Sequence, residues 1–242
     1  MLKKRELIND SSDLEFNFTN YSDFFDSHIY KSIRGYNYLR RDVIEMSRYF
    51  VEDKTKVIDI GCSQGTLLKD IRLRNDHAKN AHYIGIEIND AFQKHWHKEP
   101  NLEFVIDDIR LWQGMNKDVS LATAIFTFQF IPERHRSEIL KKIFNNLIEG
   151  GALVFSEKVY SEESRIQSMM EFMFYDHKQR GFTAKEILSK ERQLRHMAKL
   201  TTEKVIMDLL RSIGFGPIQV FWRNFNFIGI VAIKPTITSE GI

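Results

Sequence analysis

One run, Val57-Ile58-Asp59-Ile60-Gly61-Cys62-Ser63-Gln64-Gly65, restricts what this chain can fold into more than any other stretch. Lys56 to Ile60 is a short apolar segment of strand character, and the periodic segment Thr66 to Leu73 reads as a helix. Gly61 to Gly65 is then the entry loop between them. A buried strand delivered directly into a helix is half of a βαβ unit and commits the chain to a parallel sheet. Glycines at 61 and 65 let the backbone approach a ligand where a Cβ would collide. The helix N-terminus beyond them presents unpaired N–H groups to a polar or anionic ligand.

The same alternation continues downstream. His82 to Ile86, Leu102 to Ile106, Leu121 to Phe128 and Ala152 to Ser156 read as four further strands. Asn89-Asp90 introduces a helix over Ala91 to His97, and Glu133 to Leu147 is strongly helical, with Gly150-Gly151 expected to stop it. Apolar residues from Ile33 to Val51 recur at helical spacing ahead of the first strand. Residues 160–199 break the alternation with two helices hinged at Arg180-Gly181-Phe182, Thr183 capping the second. Thr201 to Ile213 is a last helix, ended by Gly214. Strands Ile218 to Trp222 and Phe225 to Ile233 then form an antiparallel hairpin turning at Arg223-Asn224. This is an α/β fold of the Rossmann-like, class I methyltransferase type: a mostly parallel sheet closed by an antiparallel C-terminal hairpin, with an inserted helical segment. A dinucleotide-binding dehydrogenase usually ends in a sixth parallel strand instead. The expected organisation is a flexible N-terminus over 1–14, a single domain over 15–236 and a tail over 237–242.

Composition narrows the partners. With 35 basic and 33 acidic residues the net charge is +2, too weak a field to indicate direct nucleic-acid binding or a membrane surface. No segment reaches the roughly 18–20 apolar residues of a membrane helix, and no apolar run follows the basic start as a secretory signal requires. The single cysteine, Cys62, excludes a disulfide within one chain and fits a reducing, cytoplasmic setting.

The strand ends carry the chemistry. Glu87, 22 residues beyond Gly65 at the end of the second strand, is placed to accept from a ribose diol. Asp108, after the third strand, is placed to meet an adenine amino group beside the Ile109 backbone N–H. A dinucleotide fingerprint wants glycine at the first, third and sixth positions of the loop, where this chain has Gly61, Ser63 and Thr66. The two missing glycines remove room for a pyrophosphate and for close helix packing, which points to S-adenosylmethionine rather than NAD. His95, His97 and Glu99 read as surface side chains rather than metal ligands, and Arg134, His135 and Arg136 as exposed. Cys62 lies near a helix N-terminus, which lowers a thiol pKa, but no base is tied to it. Arg192, Arg195 and Lys199 share one helix face, either as a solvated basic face or as an anion-binding arm.

Together the motifs resemble one family, the carboxy-S-adenosylmethionine synthases, bacterial enzymes that prepare a donor for wobble-uridine modification of tRNA. The resemblance runs from about Phe16 to Lys234. It rests on Phe16-Asn17-Phe18, Lys31-Ser32-Ile33-Arg34-Gly35-Tyr36, Asp59-Ile60-Gly61-Cys62-Ser63 and Asp108-Ile109-Arg110. Further along it rests on Phe126-Thr127-Phe128-Gln129-Phe130, Gly150-Gly151-Ala152-Leu153-Val154-Phe155-Ser156-Glu157-Lys158, and Trp222 with Phe225-Asn226-Phe227. It implies a homodimeric enzyme that uses prephenate to carboxylate the methyl group of S-adenosylmethionine. Prephenate loses carbon dioxide and water, the sulfonium methyl becomes an ylide that captures the carbon dioxide, and phenylpyruvate leaves. A closed pocket protects such a carbanion from water.

The resemblance also implies residue roles. Tyr36 contacts the ligand, Gly61 and Ser63 make the loop contacts within a motif that includes Asp59, Cys62 and Gly65, and Asp108 and Ile109 hold the adenine. Arg192 pairs with the extra carboxylate through its bidentate fork, with one residue inserted between Phe182 and Arg192. Tyr36 and Arg192 are thus the candidate catalytic residues. The chain departs from the family at Glu87, usually Asp, and at Ile88 and Ile125, both usually Asn. Thr19 stands for Asp and Arg34 for Pro. An ordinary methyltransferase acting on a small molecule or nucleic acid is the alternative, and a binding protein without turnover a third. Plain S-adenosylmethionine, its carboxylated form and S-adenosylhomocysteine are the ligands these readings allow.

Overall fold

The computed structural model describes residues 22–236. The segment 1–14, the Phe16-Asn17-Phe18 motif and the tail 237–242 lie outside the described residues.

β1 (Lys56–Ile60) is buried along its length because it pairs on both sides, with β2 (His82–Glu87) and β4 (Val119–Ile125), each time in parallel. β3 (Leu102–Ile106) flanks β2, and β5 (Leu147–Tyr160) flanks β4, again parallel. β8 (Phe227–Ile233) runs antiparallel to β5, and β7 (Ile218–Asn224) closes the edge, so the sheet order is β3-β2-β1-β4-β5-β8-β7. A two-residue strand β6 (Thr201–Thr202) adds to the far end of β5.

Strand periodicity divides the core in two. Val57, Leu121 and Val154 face Leu39 and Val43 of α2 (Tyr36–Ser47) and Leu68 and Ile71 of α3 (Thr66–Arg74). Their neighbours Ile58, Ala122 and Phe155 face Ile139 and Ile143 of α4 (Glu133–Asn146) and Leu210 of α7 (Glu203–Ile213). Burying both faces is what lets these strands be nearly continuous apolar runs. α1 (Phe25–Ser32), α5 (Ser164–Lys178) and α6 (Ala184–Met197) stand over the ends of the strands, α1 and α5 in contact with one another.

Several local expectations change. The helical reading from Ile33 to Val51 is interrupted, since Gly35 at φ 78° starts α2 anew and α1 precedes it. β4 stops at Ile125 rather than Phe128, because Phe126 takes a left-handed φ of 57° with its N–H on the Ser156 carbonyl and hydroxyl. Phe128–Phe130 is a 3-10 turn, and so is Asp90–His95, where an α-helix was expected. α4 ends at Asn146, before the glycine pair. Gly150 and Gly151 lie inside the long strand β5, where a Cβ on Gly151 would sit 3.0–3.1 Å from three backbone oxygens. The hairpin turns at Phe225-Asn226, since Asn224 pairs directly with Phe227 and Phe225 takes the left-handed φ of 51°. Thr201 and Thr202 precede the last helix rather than begin it, and Thr202 caps it through Val205.

Candidate active site

The order in which strands are added reverses between β1 and β4, and such a switch point leaves a crevice beyond the carboxyl ends of the parallel strands. A cavity of about 500 Å³ occupies that place, a size that suits a small-molecule ligand. Ile60 and Gly61 line it from β1, Ile86 and Glu87 from β2, Ile125 and Phe126 from β4. α1 roofs it with Phe25, His28, Ile29, Ser32 and Ile33, the i, i+3, i+4, i+7, i+8 face of one helix.

The loop after β1 is shaped by its neighbours before any ligand arrives. Gly61 and Cys62 donate to the Ile86 carbonyl, and Gly65 N–H donates to the Cys62 carbonyl. Gly61 and Gly65 have φ of 73° and 75°, the left-handed region that glycine tolerates best. The collision that excludes a side chain is internal as well. A Cβ on Gly65 would meet the Phe104 ring at 2.4 Å, and one on Gly61 would meet the Thr127 hydroxyl at 2.5 Å. Thr127 donates to the Ile60 carbonyl at 2.8 Å, tying the post-β4 turn to the loop. Trp96 donates its indole N–H to the Ser63 carbonyl at 2.8 Å and stacks on Phe104 at 5.2 Å. Neither Thr127 nor Trp96 was singled out from sequence. The Phe-Thr-Phe-Gln-Phe run was the signal for the first, and the second had none.

Glu87 organises the site electrostatically. Its carboxylate accepts from the Ser63 N–H at 3.0 Å, the Ile88 N–H at 2.9 Å and the Asn89 N–H at 3.0 Å. Burial raises its pKa, against the pull of those three amides. A carboxylate has about four acceptor sites, so three amides leave about one for a ligand hydroxyl. The arrangement also argues against a pyrophosphate here, because the Ser63 amide is already turned to a carboxylate.

Asp108 lines the same cavity with its carboxylate held by the Arg110 side chain and by the Arg110 N–H at 2.9 Å, and the Arg110 hydrogen bond lowers its pKa. Ile109 stands beside it, its carbonyl accepting from Lys142 at 3.1 Å. Gly61, Ser63, Glu87, Ile88, Asp108, Ile109 and Ile125 are therefore brought together on one wall.

The other sequence candidates stand elsewhere. Asp59 is fully enclosed behind the loop, accepting from Thr123 at 2.6 Å, and burial raises its pKa to about 7. Tyr36 is buried against Tyr30 and Phe126, reaching the cavity through Phe126, and burial pushes its phenol well up. Cys62 is buried too, and burial raises its thiol pKa, the reverse of the lowering that a helix N-terminus suggested. Gly65 shapes the loop from behind the wall. Arg192 is exposed and off the cavity wall, whereas Lys190, Glu191, Leu194, Arg195 and Ala198 of the same helix line it. At 3.6 residues per turn that set is one helix face, and residue 192 falls to its side. The triple Arg192, Arg195, Lys199 is thus divided. Arg136, expected at the surface, is buried with its guanidinium on the carbonyls of Ile131, Gln129 and Lys199. His95 faces Asp23 at 3.4 Å, and Glu99 pairs with Arg72 at 2.6 Å.

The chain is similar to known proteins in sequence and in fold. Residues 57–151 match the family described as a methyltransferase domain. The chain is 32% identical over 220 residues to the carboxy-S-adenosyl-L-methionine synthase of Staphylococcus epidermidis, covering 87% of this chain and 92% of that protein. It is 30% identical over 218 residues to the synthase of Shewanella piezotolerans, covering 87% and 88% respectively. Among solved structures, human N-acetylserotonin methyltransferase in complex with SAM superposes with a TM-score of 0.56 at 18% identity, over 81% of this chain and 52% of that one. That likeness carries the fold alone.

Proposed function

As the chain belongs to the carboxy-S-adenosyl-L-methionine synthase family, it is a transferase built around S-adenosyl-L-methionine, and we propose that its reaction is prephenate-dependent carboxylation of that molecule's methyl group. The product would feed wobble-uridine modification of tRNA. The observation that carries the reading is the shared wall of Gly61, Ser63, Glu87 and Asp108 in a cavity that continues well beyond it, to Tyr160, Phe174 and Arg195. The first end suits the nucleoside, with Glu87 for the ribose and Asp108 with Ile109 for the adenine. The continuation leaves space for a second small molecule. When bound, the donor supplies an activated sulfonium methyl group. The chain's part is to orient it through the β1 and β2 ends and to exclude water with α1 and α5.

The positions of Arg192 and Ile125 favour a second reading, in which plain S-adenosylmethionine serves as a methyl donor. Arg192 does not reach its own cavity, and Ile125 brings no polar group to it. In the synthase reading the chain acts as a homodimer through the helical segment 160–199, and Arg192 serves a second copy's cavity. The apolar side chains of Met169, Phe172, Met173 and Leu188, exposed along α5 and α6, support that interface. The test is to incubate the protein with S-adenosylmethionine and prephenate and follow products by mass spectrometry. The expected outcome is the carboxymethyl sulfonium and phenylpyruvate in equal amounts. S-adenosylhomocysteine in the presence of an acceptor, with no carboxylated product, would replace the synthase reading with the methyltransferase one.

A further inference from the structure

The middle of the cavity has a character of its own. The strand ends follow one another in the order β3, β2, β1, β4, about 4.8 Å apart. With the adenine at Asp108 beyond β3 and the ribose at Glu87 beyond β2, the donor's sulfur comes to the ends of β1 and β4. The lining there is Ile60, Gly61 and Ser63 from one side and Ile125, Phe126 and Thr127 from the other, all uncharged. The carboxylates of the lining stand at its two ends, Glu87, Asp107 and Asp108 at the first, Glu171 and Glu191 at the second. Asp59, the acid of β1, is enclosed behind the loop with its carboxylate on Thr123. A sulfonium keeps its positive charge at every pH, and burying it without a partner costs free energy. An aromatic face is a neutral group that meets such a charge.

Phe126 is held in place for that task. It follows the last residue of β4 and takes a φ of 57°, a left-handed conformation uncommon for so bulky a side chain. Ser156 accepts from its N–H twice, through the carbonyl at 2.9 Å and the hydroxyl at 3.1 Å, and Ser156 is fully buried. Backbone strain of this kind persists only where the surroundings over-determine it, and it gathers at ligand sites. The ring is fixed as well. Its centroid lies 6.3 Å from that of Tyr36 and 5.6 Å from that of Phe227, the latter with the planes at 85°. The cavity already pairs cations with rings. Lys158 and Lys178 hold their ammonium groups 4.9 Å and 4.8 Å from the Phe174 centroid. Phe126 is the lining ring that the β4 end itself supplies.

We propose that Phe126 reads the charge of the adenosyl ligand: its ring accepts the sulfonium cation and so favours S-adenosylmethionine over the neutral thioether S-adenosylhomocysteine. The inference rests on the reading of the Glu87 end as the nucleoside site and adds a specificity residue to it. No proton transfer is assigned to Phe126. Under the synthase reading the donor and the product are both sulfonium ions, and both gain from the ring. Under the methyltransferase reading the thioether product loses that contact and leaves more easily.

The test is calorimetric titration of the full chain with S-adenosylmethionine and with S-adenosylhomocysteine. Phe126→Leu keeps an apolar side chain and removes the aromatic face. The ratio of the two affinities should then fall about tenfold, equal to about 1.4 kcal/mol, while S-adenosylhomocysteine affinity changes less than about twofold. Phe126→Tyr should keep the parent ratio. A second series places mono-, di- and trifluorinated phenylalanine at position 126. Fluorine nearly preserves the shape of the ring while drawing charge from its face, so this series decides the matter even where the leucine variant fails to fold. The logarithm of S-adenosylmethionine affinity should fall stepwise with each fluorine, and that of S-adenosylhomocysteine should stay level. Equal losses for both ligands in Phe126→Leu, or a flat fluorine series, would mean that the ring only packs and would overturn the proposal with the adenosyl reading intact. A parent protein that binds neither ligand would remove the adenosyl reading itself, and this inference with it.

Discussion

Single residues in this site serve the fold and the chemistry at once, and Gly65 separates the two. Its φ of 75° and the Phe104 ring at 2.4 Å from a notional Cβ both oppose a side chain. Gly65→Ala should destabilise the protein by about 2 kcal/mol or more, read from the midpoint of denaturant unfolding. Adding Phe104→Leu should restore only part of that, since the backbone strain persists. Full restoration would show that the clash alone matters. Asp59 supplies a pH signature. Its folded pKa, raised by burial to about 7, lies above the usual 3.8, so folding takes up a proton between those values. Stability should therefore fall as pH rises through that window, by at most about 1.4 kcal/mol per pH unit. Glu157, also raised to about 7 by burial, contributes a descent of the same sign. Asp59→Asn should remove one of the two, so its stability relative to the parent should climb from pH 5 to pH 8. Parallel curves would contradict the assignment.

Among the elements, α6 is the one whose local stability bears most directly on the far wall of the cavity. Thr183 accepts from the Glu186 N–H at 3.3 Å, while the Glu186 carboxylate accepts from the Thr183 N–H at 2.7 Å, closing a capping box. The helix carries Lys190, Glu191, Leu194 and Arg195 on its cavity face but has a sparse buried face, with Ile187 as its one fully buried apolar side chain among the described residues. Thr183→Ala should therefore act locally. Amide exchange across 184–197 is expected to accelerate about fivefold, with the global unfolding midpoint nearly unchanged. A global shift without local acceleration would mean that α6 unfolds only with the whole chain. α4 and α7 differ, because their apolar faces are part of the main core.

For the whole molecule, the sheet gives a rigid floor and the roof comes from segments inserted before β1 and after β5. The exposed apolar strip on that roof, including Phe172 at 69% exposure, belongs to the surface proposed for self-association. Sedimentation equilibrium should give twice the chain mass at micromolar concentration. Met169→Glu with Phe172→Glu should return it to one chain mass without altering the far-ultraviolet spectrum. A monomeric parent would dismiss the interface and, with it, a role for Arg192 in a neighbouring cavity.

The sequence alone determined the parallel sheet, the loop after β1 and the wall of Gly61, Ser63, Glu87, Asp108 and Ile109. Those features depend on short-range rules: strand periodicity, glycine at a turn, and acids placed at strand ends. α1 was not read from the sequence, where the first helix was expected only from Ile33, because so short a helix gives a weak periodic signal. What only the tertiary structure decided depends on long-range neighbours. Phe104 and Thr127 explain the two glycines, the Ile131, Gln129 and Lys199 carbonyls draw Arg136 inward, and the phase of α6 turns Arg195 rather than Arg192 to the cavity. Lys158, Lys178 and Lys190 meet only because β5, α5 and α6 converge at one end of the sheet. A charge's environment is set by that convergence, and spacing along the chain does not encode it.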